Sequence, residues 1–183
     1  MIDDISFRPL TEADLPKMHD WLNNPKVAEW YGLGIENVTY PALEQVEANY
    51  LPRIRGEAPT HCYMMSLDGR DFGFVQAYRI GDYPQYASII AVDPDAWGID
   101  LFIGDDEFRD RGIGTMALRL FVEQAIFSRG SVDTAVIAPN PDNKRAIRSY
   151  EKAGFTHSHT VWVEMEQAHE YVMVLHKESA TSR

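Results

Sequence analysis

The stretch DDEFRDRGIGTMALRLF sets Arg109, Arg111, Gly112 and Gly114 directly ahead of a helical apolar pattern. Glycines leave main-chain N–H groups unshielded. The first turn of a helix has N–H donors with no intrahelical partner, backed by the positive end of the helix dipole. Together these features make a seat for an anion, most often phosphate, although glycines at this spacing also serve a tight loop. A second residue stands out upstream. Asp100 interrupts the apolar run GIDLFIG, in a strand expected to be central, where an unpaired carboxylate is costly to bury. Burial would raise its pKa toward the range of a useful base; a strand-edge aspartate that caps a turn or pairs with an arginine is the other reading.

Three phosphate-binding patterns compete for the glycine segment. A P-loop requires Gly-Lys-Ser/Thr, and the sequence contains no Gly-Lys. The dinucleotide fingerprint is nearly met by Gly112, Gly114 and Ala117. It needs a strand running straight into the first glycine and an acid ending the next strand, whereas IDLFI stops at Gly104 and Asp133 begins its strand. The third pattern, Arg/Gln-x-x-Gly-x-Gly/Ala opening a helix after a strand, is matched by Arg109, Gly112 and Gly114.

The elements that must position these residues follow from periodicity. ISFRPL reads as a first strand, with Thr11 and Asp14 opening a helix that carries Leu15, Met18, Trp21 and Leu22. KVAEWYG is a short helical piece ending at Gly32, GLGIENVTYP a loop, and 42–54 a helix that Pro52 should end or kink early. HCYMMSL and RDFGFVQAYRI, joined by Asp68-Gly69, form a hairpin; GDYPQY and VDPDAWG read as turn-rich connections. IDLFI is the central strand, and a helix over 114–128 buries Ile113, Met116, Ala117, Leu120, Phe121 and Phe127 before Gly130 stops it. VDTAVIA is a strand. NPDNKRAIRSYEKAG is a helix with Ala146, Ile147, Tyr150 and Ala153 inward and Gly154 as its C-cap, and FTHSHTVWVEM with EYVMVLHK closes as a hairpin. This order is that of a single mixed-sheet α/β domain without repeats or linkers.

Composition narrows the partners. The chain has 183 residues, 45% of them hydrophobic, enough for a real core. Seventeen Lys and Arg against 28 Asp and Glu give a net charge of −11, which argues against nucleic acid and anionic membrane and suits a cationic substrate. The single cysteine, Cys62, excludes an internal disulfide and a Cys-rich zinc site and belongs with the core. His157-x-His159 has no evident third ligand, so no metal is expected. Without a basic leader or long apolar segment, the sequence reads as cytoplasmic. The closing hairpin offers a sheet edge through which subunits can pair, so monomer and homodimer both stay open.

The two motifs together carry a resemblance. Arg109, Gly112 and Gly114 precede NPDNKRAIRSYEKAGF, which is similar to an Asn-x-x-Ala-x-x-x-Tyr-x-x-x-Gly-Phe segment through Asn143, Ala146, Tyr150, Gly154 and Phe155. In that order the motifs resemble the GNAT superfamily of N-acetyltransferases, whose fold is an α+β domain with a mixed, mostly antiparallel twisted sheet flanked by helices. HDWLNNPKVAEWYG, EQVEANYLPRI, DPDAWGID and RAIRSYEKAGF look closest to the aminoglycoside 6'-N-acetyltransferases.

The resemblance implies acetyl-CoA as co-substrate, bound by a core over 98–155, with the N-terminal half on the acceptor side. The cofactor contacts implied are Leu101, Phe102, Ile103, Arg109, Arg111, Gly112, Ile113, Gly114, Thr115, Asn143 and Arg148. It further implies Asp100 as base and Tyr150 as acid, with Trp30, Tyr31, Asp93, Asp95 and Asp100 facing a small cationic amine. Spacing alone would make Tyr150 a core tyrosine and Lys144, Arg145 and Arg148 an exposed helix face; the same three cations could reach the 3'-phosphate of the cofactor. The acidic run GDDEF reads as a solvated turn offset by Arg109 and Arg111. One position departs from the antibiotic enzymes: Ala138 stands where an acid is expected, which removes one contact to an ammonium. Acetylation of protein N-termini or of siderophore or lysine-type amines, and a non-catalytic acetyl-CoA sensor, are the alternatives.

Overall fold

The computed structural model describes residues 4–31 and 39–177. The elements are β1 (Ile5–Pro9), α1 (Leu15–Leu22), α2 (Pro25–Ala28), α3 (Leu43–Ile54), β2 (Thr60–Leu67), β3 (Arg70–Arg79), α4 (Pro84–Ile90), β4 (Trp97–Ile103), α5 (Ile113–Phe121), β5 (Thr134–Ile137), α6 (Lys144–Ala153), β6 (Thr156–Val163) and β7 (Ala168–His176). The strands form one mixed, mostly antiparallel sheet in the order β1-β2-β3-β4-β5-β7-β6. β4 is therefore central, and it pairs in parallel with β5. The hairpin turn takes Asp68 and Gly69 through positive φ, as a two-residue connection requires.

The chain divides into two compact units, the first comprising residues up to Gln76 with Leu101–Asp110, the second Ala77–Asp100 with the chain from Arg111 on. In the first, Leu15, Met18 and Leu22 of α1 pack with Val46, Met64 and Phe74 in one cluster, and Cys62 is buried there too. Its aromatic centre is Phe102, stacked on Phe74 at 5.5 Å and met edge-on by Tyr31 at 4.7 Å. In the second, Ile80, Ile90, Ala96, Val136 and Val172 form a cluster edged by Tyr78, Tyr86 and Ala138.

Three expectations are corrected. GDYPQY does not lead into an irregular connection: α4 forms over Pro84–Ile90. Pro84 fixes φ at the first helical position, but Tyr83 provides no polar cap and the left-handed C-cap is Ala91 rather than glycine, so the proline stands without a capping residue at either end. Pro52 does not end α3 early, because so near the C-terminus it removes only one ladder bond, and its carbonyl accepts from the Glu57 and Ala58 N–H groups. The helix expected over 114–128 is α-helical only to Phe121; a π turn over Val122–Ile126 and a 3-10 turn over Phe127–Arg129 complete it before Gly130. That wider turn brings Val122, Ile126 and Phe127 all inside, and Leu118 takes the buried place expected of Met116 and Leu120. The loop expected over GLGIENVTYP lies largely outside the described residues, as does Gly32.

The entry to α1 shows how charge is placed in the first unit. The Asp14 carboxylate accepts from both Arg8 Nη atoms at 2.8 and 2.7 Å and from the Thr11 N–H and hydroxyl at 2.9 and 2.7 Å. These bonds, Arg8 foremost, hold Asp14 down at about 2 against the cost of its burial. Its folded pKa lies below the ordinary 3.8, so the stabilisation is complete above that value and is lost as pH falls toward 2. Asp14→Ala should cost about 1–3 kcal/mol at neutral pH, with a gap to the parent that narrows in denaturant melts taken below pH 4.

Candidate active site

The glycine segment adopts the conformation its composition suggests. Asp110 and Gly112 both have positive φ, 59° and 76°, and Gly112 is the N-cap of α5. A Cβ placed at Gly112 would meet nothing within 4 Å, so glycine is needed there for backbone conformation rather than for room. Ile113, Gly114 and Thr115 occupy the first turn, where N–H groups have no intrahelical acceptor. The Thr115 hydroxyl lies 2.7 Å from that of Ser149, next to Tyr150, tying α5 to α6. Asn143 caps α6 by accepting from the Ala146 N–H at 3.0 Å, and Arg148 is exposed. Lys144 Nζ donates to the Pro141 carbonyl.

Within the first unit the Arg109 side chain is 11% exposed; it donates to the Ile103 carbonyl and pairs with Asp106 at 2.8 Å. The acidic run before the loop is offset differently from expectation. Arg70 takes Asp105 and Glu107, each at 2.7 Å, and Lys26 takes Asp106 at 2.8 Å alongside Arg109. Partners distant in sequence supply most of the compensation. Trp30, 43% exposed, and Tyr31 belong to this unit, as do the half-buried Leu101 and Ile103 and the buried Phe102.

The second unit gathers the titratable groups. β4 pairs with β5 through Trp97↔Ala135 and Gly98↔Val136, and among the described residues that register stops two residues before Asp100. Asp100 is half-buried. On the same face of β4, Gly98 lies against Tyr78: an added Cβ would stand 2.7 Å from ring carbons of that tyrosine and 3.0 Å from its hydroxyl. Tyr78 packs against Tyr86 of α4 with ring centroids 6.3 Å apart, and the Tyr86 hydroxyl donates to Glu170 Oε2 at 2.9 Å. Glu170, 6% exposed, is hydrogen-bonded in turn to Glu166 in the exposed turn between β6 and β7. Burial, then the neighbouring Glu166, pushes the Glu170 carboxyl up to about 8. Desolvation first and the Asp100 charge second raise the Tyr150 and Tyr78 phenols and the Glu166 carboxyl.

Asp100 and Tyr150 thus fall within electrostatic reach of one another in a single unit. Asp95 is exposed and paired with Arg79, while Asp93 Oδ1 accepts from the Asp95 N–H at 2.8 Å in the turn before β4. His157 stacks on Tyr171 at 3.8 Å and His159 Nε2 bonds the Ile90 carbonyl at 2.8 Å. No group of three His, Cys, Asp or Glu that could hold a metal ion occurs among the described residues, and no described helix is long and apolar enough to cross a membrane.

Sequence reasoning missed Tyr78, Tyr86, Glu166 and Glu170. A usable signal existed for one of them: Glu170 and Val172 share a face by period-two alternation, so a carboxylate stands in phase with buried apolar residues.

The chain is similar to known proteins over nearly its whole length. Residues 11–163 match the family described as acetyltransferase (GNAT) domain. Aminoglycoside N(6')-acetyltransferase type 1 from Klebsiella pneumoniae is 34% identical over 160 residues, 87% of this chain and 77% of that one, and the same enzyme from Serratia marcescens matches equally. Among solved structures, AAC(6')-Ib in complex with ribostamycin and coenzyme A superposes with a TM-score of 0.87 at 30% identity, covering 98% of this chain and 97% of that one. A spermidine N-acetyltransferase from Vibrio cholerae shares the fold, with a TM-score of 0.73 at 14% identity over 97% and 98% of the two chains.

Two outcomes follow from the packing and charge of the second unit. Gly98→Ala forces its methyl against the Tyr78 ring and should lower stability by about 1–3 kcal/mol, read as a fall in melting temperature. Glu170 has a folded pKa above its ordinary 4.5, so it imposes no penalty below that pH and a full one above about 8. Glu170→Gln should therefore gain on the parent through that window, by up to about 1.4 kcal/mol per pH unit in paired denaturant titrations.

Proposed function

The chain belongs to the GNAT acetyltransferases, and from that membership we propose that it transfers the acetyl group of acetyl-CoA to the 6'-amine of an aminoglycoside. The acceptor assignment is carried by the likeness to aminoglycoside 6'-enzymes over 87% of the chain, acceptor half included. The carboxylates of Asp100 and of Glu166 in the exposed turn suit a polycation.

The residues present fit the co-substrate, since Gly112 at the head of α5 is open on the side where a Cβ would stand. In the proposed arrangement the main chain of Arg111, Gly112, Ile113, Gly114 and Thr115 receives the pyrophosphate, with Arg109 fixing its own segment through Ile103 and Asp106. The main chain of Leu101, Phe102 and Ile103 bonds the pantetheine arm. Asn143 shapes the start of α6 and Arg148 faces the phosphates. Acetyl-CoA supplies the activated acyl group.

Asp100 removes a proton from the ammonium, because only a neutral nitrogen attacks a carbonyl carbon. Tyr150 donates a proton to the departing thiolate; a phenol held above its ordinary range stays protonated until that sulfur becomes basic. Trp30 and Tyr31 line the sugar, and Asp93, with its neighbour Asp95 matched by Arg79, adds charge for a second ammonium. Ala138 favours weighing a second acceptor class, amines of peptides or lysine derivatives, in the same assay.

Purified protein supplied with acetyl-CoA should release thiol rapidly with kanamycin-type aminoglycosides and not when the 6'-amine is blocked. Turnover confined to peptides, polyamines or lysine derivatives would move the substrate, and acetyl-CoA binding with no turnover on any amine would favour a sensor. Asp100→Asn should lower kcat by about a hundredfold or more with acetyl-CoA affinity unchanged, and a parent-like kcat would remove Asp100 from the mechanism.

A further inference from the structure

Acetylation of an ammonium leaves one proton in surplus. The nitrogen loses one proton before it attacks the carbonyl carbon and a second once the C–N bond has formed. As the C–S bond breaks, the sulfur takes up one, through Tyr150 in the mechanism above, and Tyr150 is restored by the second proton from nitrogen. The first stays on Asp100, which must lose it before another turnover begins.

We propose that Tyr78, Tyr86, Glu170 and Glu166 form the route by which this proton leaves the neighbourhood of Asp100 for solvent. The inference rests on the reading of Asp100 as base. Four features of the second unit carry it. Gly98 lets the Tyr78 hydroxyl lie on the same β4 face as Asp100. Tyr86 gives its one hydrogen to Glu170 Oε2 at 2.9 Å, which leaves its oxygen to accept from Tyr78, whose ring centroid lies 6.3 Å from its own. Glu170, buried on β7, is hydrogen-bonded to Glu166, and Glu166 lies in the exposed turn. The chain thus has one end on the β4 face that carries Asp100 and the other in the exposed turn.

Each group in the chain is amphoteric in the sense a relay needs. A proton arriving at the Tyr78 oxygen displaces its own hydrogen to Tyr86, that of Tyr86 passes to Glu170, and that of Glu170 to Glu166, which releases it to water. No group ends with more or fewer protons than it began with. A carboxyl held above its ordinary range by burial keeps a proton at neutral pH and can pass it to the more exposed Glu166. A tyrosine at 86 packed only for its ring would need no hydroxyl, and a glutamate at 170 packed only for its stem would carry a needless desolvation cost.

The test uses two readouts. In the first, kcat is measured at fixed pH and ionic strength with increasing imidazole, on whichever amine the parent turns over. Tyr86→Phe and Glu170→Gln should lower kcat between about tenfold and a hundredfold, less than loss of the base itself. Added imidazole should restore the rate of both variants while leaving the parent unaffected, with acetyl-CoA affinity and melting curve showing each variant folded. A structural defect would not be rescued by a proton carrier. Parent-like kcat in Tyr86→Phe, or a loss that imidazole does not touch, overturns the route.

The second readout needs no substrate. Infrared spectra at neutral pH should show a protonated carboxyl band that disappears in Glu170→Gln and shifts in Tyr86→Phe; its absence from the parent overturns the route as well. If the parent turns over no aminoglycoside, the proposed acceptor falls, while the infrared band and the imidazole response on another amine still decide the route.

Discussion

The close approach of β3 and β4, at two glycines, is the constraint on which the site depends. In the first unit Gly73 of β3 stands where a Cβ would come within 2.4 Å of the Phe102 carbonyl oxygen of β4. In the second the roles reverse, Gly98 of β4 accepting the ring of Tyr78 from β3. Neither glycine has positive φ, so both are there for space rather than for a turn. Phe102 can then anchor the aromatic cluster of the first unit, and Tyr78 can lay its hydroxyl on the face of β4 that carries Asp100. A side chain at either position would separate strands whose partners are already fixed on their other sides.

Two deeply buried carboxylates show how the same chemistry is tuned in opposite directions. Asp14, 9% exposed, receives a bidentate guanidinium and two local donors, so hydrogen bonding and attraction outweigh desolvation and its pKa falls. Glu170, 6% exposed, receives one phenol and faces other acids, so desolvation and repulsion prevail and its pKa rises. The first arrangement stabilises the fold at the entry to α1. The second costs stability at neutral pH, and buried groups of that kind are commonly retained for function rather than for the fold.

How much of this was legible in the sequence depends on the range of the interaction. The loop at Gly112 could be read because glycine conformation and helix entry are local. Asp100 could be read because a carboxylate within an apolar strand contradicts its own neighbours. Both motifs also have fixed spacing, which is why the family was recognisable. The partners of Asp105 and Glu107 were not legible, since Arg70 reaches them only after β3 and β4 are paired. Nor was α4, whose ends carry no capping signal, and with α4 unread Tyr86 had no place in the site. Glu170 lay in plain view within EYVMV, but its burial depends on a register with β6, Val161 opposite Glu170, that composition does not specify.

That register also bears on Ala138, the position where the resemblance to the antibiotic enzymes led an acid to be expected. Ala138 follows β5 directly at the edge of the cluster that includes Tyr86, and the next residue, Pro139, accepts a hydrogen bond from the Tyr171 N–H at 2.8 Å. Glu170 immediately precedes Tyr171, so the main chain that carries this carboxylate runs alongside the segment that lacks one. A charge lost from one strand can be supplied by its neighbour at a spacing of about 5 Å, because adjacent strands present side chains to the same face. A carboxyl group near the end of β5 therefore comes from β7, and burial leaves it ionised only as pH rises toward about 8. A count of acids along β5 alone would miss this carboxyl, since it belongs to β7, the hydrogen-bonded neighbour of β5 in the sheet.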